Sequence, residues 1–164
     1  MLQPLVRRTW APRGQTPIQR SWDRHDRLSV ISALTVSPRE RKLRLFFTIH
    51  DGNIRTPEAV RFIRSVRRQV GGKLLLVWDR LNVHRSAAKL LQRRADLPIE
   101  WLPSYAPDLN PVEQVWNHSK YAELANYVPD DIDDLHGAVA VSLAIQAPQQ
   151  SLLRNYFLHA GLFL

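Results

Sequence analysis

With 164 residues, 45% of them hydrophobic, the chain is long enough for one domain with a real core. The lack of cysteine excludes a disulfide framework and thiolate metal sites, and no apolar run reaches the roughly 18 residues of a membrane span. The net charge of +8 is unevenly spread, at +7 over residues 1–50, +6 over 51–100 and −5 over 101–164, so the front two-thirds suits a polyanion such as DNA.

Residues 1–27 show no clean period and hold six arginines. Arg7, Arg8 and Arg13 read as phosphate contacts, because a guanidinium fork binds phosphate bidentately, or equally as part of a disordered basic arm. Residues 28–36 and 43–49 read as two strands joined by the polar SPRERK loop, with Leu43, Leu45, Phe47 and Ile49 on one buried face. Asp51-Gly52 then turns the chain.

Thr56-Pro57-Glu58 is a helix start: a hydroxyl cap, proline in the first helical position and an acid at the positive end of the dipole. Ala59, Phe62, Ile63, Val66 and Val70 follow a 3.6-residue period, and Gly71-Gly72 ends the helix. Arg61, Arg64, Arg67 and Arg68 fall on its other faces and read as solvated surface or as a DNA contact. Leu74 to Trp78 is a run of five apolar residues, expected to form a parallel strand buried on both faces. Asp79 closes it, at the strand end where ligands gather in open α/β sheets. A loop over 80–85 follows, with Asn82 and His84 placed to orient a carboxylate or meet a phosphate, and Ser86 is expected to cap a short helix.

Residues 98–102 read as the next strand, followed by the turn-rich loop Pro103–Pro111. Asn110-Pro111-Val112-Glu113 reads as a helix start with Asn at the N-cap and Glu at the third position. Trp116 is expected in the core, and Lys120, two turns on from Glu113, is a candidate phosphate contact. Asp130, Asp131, Asp133 and Asp134 precede a final helical region and read as dipole partners rather than a metal site. The terminal NYFLHAGLFL is expected to pack its apolar tail on the core.

Two carboxylates therefore stand at element ends, Asp79 after a strand and Glu113 in the first turn of a helix. Each has a plain reading: Asp79 as a cap on the next turn, and Glu113 as the third member of a capping box. They also suit a site for hard divalent cations, in which rigid elements project oxygen ligands into one polar pocket.

The segment LPSYAPDLNPVEQVWNHSK resembles the third-carboxylate signature of DDE transposases of the mariner superfamily, in its bacterial insertion-sequence branch. VWDRLNVHRS resembles the same family's second-carboxylate block, and TWAPRGQTP, HDGNIRTPE and ELANYVPDDIDDL extend the resemblance over nearly the whole chain. The resemblance implies an α/β fold, a ribonuclease-H-like mixed sheet flanked by helices, as one partial domain over residues 1–164. It assigns Asp79 and Glu113 as catalytic and metal-holding acids, with Asn82, His84 and Asn110 supporting them. Arg7, Arg8, Arg13, Arg80, Arg85 and Lys120 become DNA contacts.

In that family three acids hold two divalent cations, Mg²⁺ or Mn²⁺, for in-line attack on a DNA phosphodiester. The first acid, which closes the family's opening central strand, has no match, and Asp23 and Asp26 are the nearest substitutes. The expectation is a truncated chain without that strand and without the N-terminal helix-turn-helix region, inactive alone for want of one acid. The implied partners are transposon-end and target DNA, together with a homo-oligomeric copy or an upstream-encoded transposase part. The implied setting is the bacterial cytoplasm, at the nucleoid. The alternative is a non-catalytic DNA-binding remnant that regulates an intact transposase.

Overall fold

The structure is a computed structural model that describes residues 8, 10–18, 28–92 and 97–163. Arg7, Trp22, Asp23, Asp26, Arg93 and Arg94 lie outside the described residues. Strands β1 (Leu28–Val36) and β2 (Leu43–Asp51) form an antiparallel ribbon in which Leu28 faces Asp51 and Val36 faces Leu43. Its turn is closed by the Ser37 N–H on the Lys42 carbonyl (2.9 Å) and the Arg41 N–H on the Ser37 carbonyl (2.8 Å). Period-two alternation decides what each face of the ribbon meets. Ile31, Ala33 and Phe46 join one apolar core, while Val30, Leu34, Leu43, Leu45, Phe47 and Ile49 join another.

The first core lies under helices α1 (Thr56–Val70) and α2 (Asn82–Gln92). Ala59, Phe62, Ile63 and Val66 of α1 are buried there, as their spacing predicts. The N-cap of α1 is Arg55 rather than Thr56, because Glu58 reaches back to accept the Arg55 N–H (3.0 Å) and fixes the helix start one residue early. Gly71, at φ 67°, takes the left-handed conformation that ends the helix. Strands β3 (Leu76–Trp78) and β4 (Ile99–Trp101) pair in parallel and contribute Trp78, Leu76 and Ile99 to the same core.

The strand of β3 is three residues long, not five, and is not buried on both faces. Leu75 and Val77 are 56% and 54% exposed, while Trp78 is buried, so only one face of this pair is covered. The expected mixed sheet is likewise divided. Among the described residues β1 bonds only β2, and β3 bonds only β4, so each of β1 and β3 has one edge without a strand partner.

The second core is built by α3 (Pro111–His118), α4 (Ile132–Gln146) and α5 (Gln150–His159), with Val115, Val139, Leu143 and Leu153 almost fully buried. The α5 N-terminus is fastened to the edge of β2: the Gln150 amide accepts the Leu43 N–H (2.9 Å) and donates to the Leu43 carbonyl (2.8 Å). The acidic cluster is structural, as expected. Asp131 caps α4 through the Asp134 N–H (2.7 Å), and Asp134 accepts from the Tyr127 hydroxyl (2.5 Å) and the Asp130 N–H (3.0 Å). The terminal tail departs from expectation. Ala160 is buried, but Gly161 turns the chain at φ 72°, leaving Leu162 and Phe163 43% and 87% exposed. No helix among the described residues is long and apolar enough to cross a membrane.

One buried polar knot joins the later helices. A π-helical turn at Ser119–Glu123 extends α3, and the fully buried Gln146 of α4 donates to the Ser119 hydroxyl (2.8 Å) while accepting from the Tyr156 hydroxyl (2.8 Å). The Ser142 hydroxyl also donates to that of Ser119 (2.7 Å). Gln146→Leu preserves volume but strands the buried Tyr156 and Ser119 hydroxyls. It is expected to lower the unfolding free energy by about 2–3 kcal/mol in a urea melt.

Candidate active site

Asp79 follows β3 directly, and the parallel pairing with β4 continues past it: the Leu102 N–H donates to the Trp78 carbonyl (2.8 Å). The Arg80 Nε then donates to the Leu102 carbonyl (3.1 Å). Two crossing bonds thus hold the residues on either side of Asp79 against the start of the 103–110 loop. That loop ends in a 3-10 turn, Pro107–Leu109, which delivers Asn110 to the N-cap of α3. The Asn110 side chain accepts the Val112 N–H (3.2 Å), the cap that the sequence predicts.

The reciprocal capping-box contact is replaced by another bond. The Asn110 N–H is already engaged by the Pro107 carbonyl (2.9 Å), so Glu113 has no N-cap donor to reach back for. A carboxylate that would otherwise serve its own helix is left over for another role. Val115, two residues on, is fully buried and anchors the helix that carries it.

The two acids sense one another. Burial, and then the negative charge of Asp79, raise the Glu113 carboxyl above its ordinary value of 4.5. At Asp79 burial also pushes upward, but it is outweighed by hydrogen bonds from His84 and from the Leu81 N–H, so its carboxyl titrates below its ordinary value of 3.8. His84 Nδ1 lies 2.5 Å from Asp79 Oδ1, and the Leu81 N–H reaches the same oxygen at 3.0 Å. Both bonds land on Oδ1 and leave Oδ2 uncommitted. The imidazole is itself fixed by stacking on Trp78, with ring centroids 4.3 Å apart and planes 19° from parallel. This support from Trp78 is not visible in the sequence, where the residue reads only as core.

His84 and Asn82 lie in the first turn of α2, not in a loop as expected. The Asp79 carboxylate accepts the Leu81 N–H and starts the helix at Asn82, four residues ahead of the expected Ser86. Asp79 therefore caps the following turn while facing Glu113, and the plain and the catalytic readings hold together. Asn82 and Arg85 are exposed on α2, and Arg8 and Arg13 are exposed ahead of β1. The Lys120 ammonium lies over the Tyr121 ring, 5.4 Å from its centroid. The cleft between α3 and α5, about 350 Å³ and lined in part by Gln114, His118 and His159, contains neither acid.

The donor set suits a hard divalent cation: two carboxylates, one with a free oxygen and one destabilised by the other's charge. Among the described residues no group of three or more His, Cys, Asp or Glu side chains gathers to hold a metal. The cost of ionising Glu113 beside Asp79 gives a stability signature in the absence of metal. Its carboxyl titrates higher folded than unfolded, so stability falls as pH rises through the window starting at 4.5, and the penalty persists above it. Glu113→Gln is therefore expected to raise the melting temperature at pH 7, by on the order of one degree, and to make no difference below pH 4.

A strand end and a helix start that aim paired carboxylates at one open edge define a protein of metal-assisted phosphodiester chemistry in form. Residues 1–136 match the family model described as DDE superfamily endonuclease, and the chain belongs to that family. The fold is similar to that of the Mos1 strand transfer complex, at 12% identity and TM-score 0.60 over 98% of this chain and 47% of that one. It is equally similar to the Mos1 mariner paired end complex with Mn, at 11% identity and TM-score 0.60 over 97% of this chain and 48% of that one. The chain thus spans about half the length of the solved chains it matches. No curated protein sequence matches it.

Proposed function

We propose that the chain is part of the catalytic domain of an insertion-sequence transposase that cleaves and joins DNA strands, with Asp79 and Glu113 as two of its metal-holding acids. The observation that carries this reading is the charge of Asp79 felt at Glu113, across 34 positions of sequence, in a chain of the DDE superfamily. The cation, Mg²⁺ or Mn²⁺, would supply charge neutralisation and Lewis acidity at the phosphate oxygens. The chain's own part is positional. His84 holds the Asp79 carboxylate in orientation and leaves Oδ2 for the cation, and α3 presents Glu113 opposite it. Arg80 and Arg85, beside the site, and Arg8 and Arg13 ahead of β1 would neutralise DNA phosphates. The setting is bacterial, with transposon-end and target DNA as partners.

The proposal includes a third acid, carried by a strand that is not among the described residues. The unpartnered edges of β1 and β3 support it, since both strands contribute to the core beneath α1. Two carboxylates alone under-ligand a metal pair, so the chain by itself should not turn over. The test is nicking of supercoiled plasmid with Mn²⁺. The chain alone is expected to leave the plasmid intact, and the chain joined to an apolar strand ending in aspartate is expected to nick it. Nicking by the chain alone would remove the need for a third acid, and inactivity of both would count against the transposase reading. The second reading, a DNA-binding regulator without catalysis, draws on the net charge of +8. It predicts salt-dependent DNA binding that Asp79→Ala leaves unchanged.

A further inference from the structure

We propose that Tyr105 is a stacking platform for an unpaired nucleobase beside the two acids, an inference that rests on the DNA-cleaving reading above. Tyr105 is fully exposed, at 103% of its reference area, and its backbone lies in the left-handed region at φ 59°. Either feature is unusual for a tyrosine. A large aromatic ring normally covers most of its surface, and the left-handed region suits glycine or asparagine, which avoid the crowding of a branched or bulky side chain. The loop accepts both costs at one position, and nothing in the fold uses the ring.

The loop is also held rigid on both flanks. Leu102 is bonded to Trp78 and Arg80 ahead of it, and the 3-10 turn with the Asn110 cap follows. Tyr105 therefore stands three residues from a position bonded across to β3, within about 10 Å of chain from the strand that Asp79 closes. Its apolar company is exposed as well: Leu81, two residues after Asp79, at 61%, and Leu109, four before Glu113, at 41%. A rim built to grip phosphate would present cations and N–H groups. This rim presents a π face and two aliphatic side chains, which match the face of a base and not its backbone. In a paired duplex the base faces are covered by their neighbours, so the ligand is a base taken out of the stack.

The probe is a duplex with a single bulged 2-aminopurine, titrated into the chain in low salt beside the same duplex without the bulge. Binding of the bulged duplex is expected to quench 2-aminopurine fluorescence, and Tyr105→Phe is expected to retain both quenching and affinity. Tyr105→Asn, which relaxes the backbone and so keeps the loop folded, is expected to lose the quenching and bind the bulged duplex about 5- to 100-fold more weakly. Its affinity for the paired duplex should not change. Equal quenching and affinity in Tyr105→Asn would overturn the stacking role while leaving DNA binding intact. No binding of either duplex by the unsubstituted chain would overturn the DNA reading and the stacking role together.

Discussion

Val115→Asp is expected to leave the chain unfolded at 25 °C, with loss of the far-ultraviolet helical signal and no cooperative thermal transition. Val115 is completely buried in the core formed with Leu43, Leu143, Leu153 and Phe157. A carboxylate placed there finds no cationic partner, and an uncompensated buried charge costs several kcal/mol even after relaxation. A domain of this size has only about 5–15 kcal/mol to lose, and here the strands share fewer bonds than a continuous sheet would provide. Val115→Ala, which removes two methyl groups without adding charge, should retain the fold at a cost of about 1–3 kcal/mol. The contrast matters for the site, because Val115 seats the helix whose first turn carries Glu113. A folded Val115→Asp chain with unchanged melting would show that α3 is not anchored there.

In the chain completed with a strand ending in aspartate, Glu113→Gln is expected to reduce plasmid nicking on the order of 10³-fold. The estimate follows from the loss of several kcal/mol of charge stabilisation at about 1.4 kcal/mol per decade of rate. The amide keeps the size of the side chain and an acceptor oxygen but removes the charge. Because the same substitution is expected to stabilise the fold at pH 7, loss of nicking could not be attributed to unfolding. Opposite signs for stability and activity distinguish an acid held for chemistry from one held for structure. Nicking that survives Glu113→Gln within a few-fold would remove Glu113 from the catalytic set.

The parts of the fold that were legible in the sequence were those decided by local pattern. The apolar spacing of Ala59, Phe62, Ile63 and Val66, the alternation of Leu43, Leu45, Phe47 and Ile49, and the Asn110 cap all stand in the structure as read. The errors arose where a tertiary contact overrode the pattern. Five apolar residues suggested a strand buried on both faces, but cover on only one side leaves Leu75 and Val77 exposed. Helix α2 begins at Asn82 because the Asp79 carboxylate accepts the Leu81 N–H, a bond that composition does not announce. The stacking of His84 on Trp78 and the left-handed backbone of Tyr105 are equally long-range or conformational features. The residue types of the site were legible. The way in which Asp79 and Glu113 perturb each other required the fold.

The most direct test is Mn²⁺ binding followed by the relaxation enhancement of water protons in the metal-titrated chain. If Asp79 and Glu113 share a cation, both Asp79→Asn and Glu113→Gln abolish the enhancement, while Asp131→Asn, in the acidic turn that caps α4, leaves it intact. Enhancement that survives both site substitutions, or that vanishes with Asp131→Asn, would contradict a shared metal site.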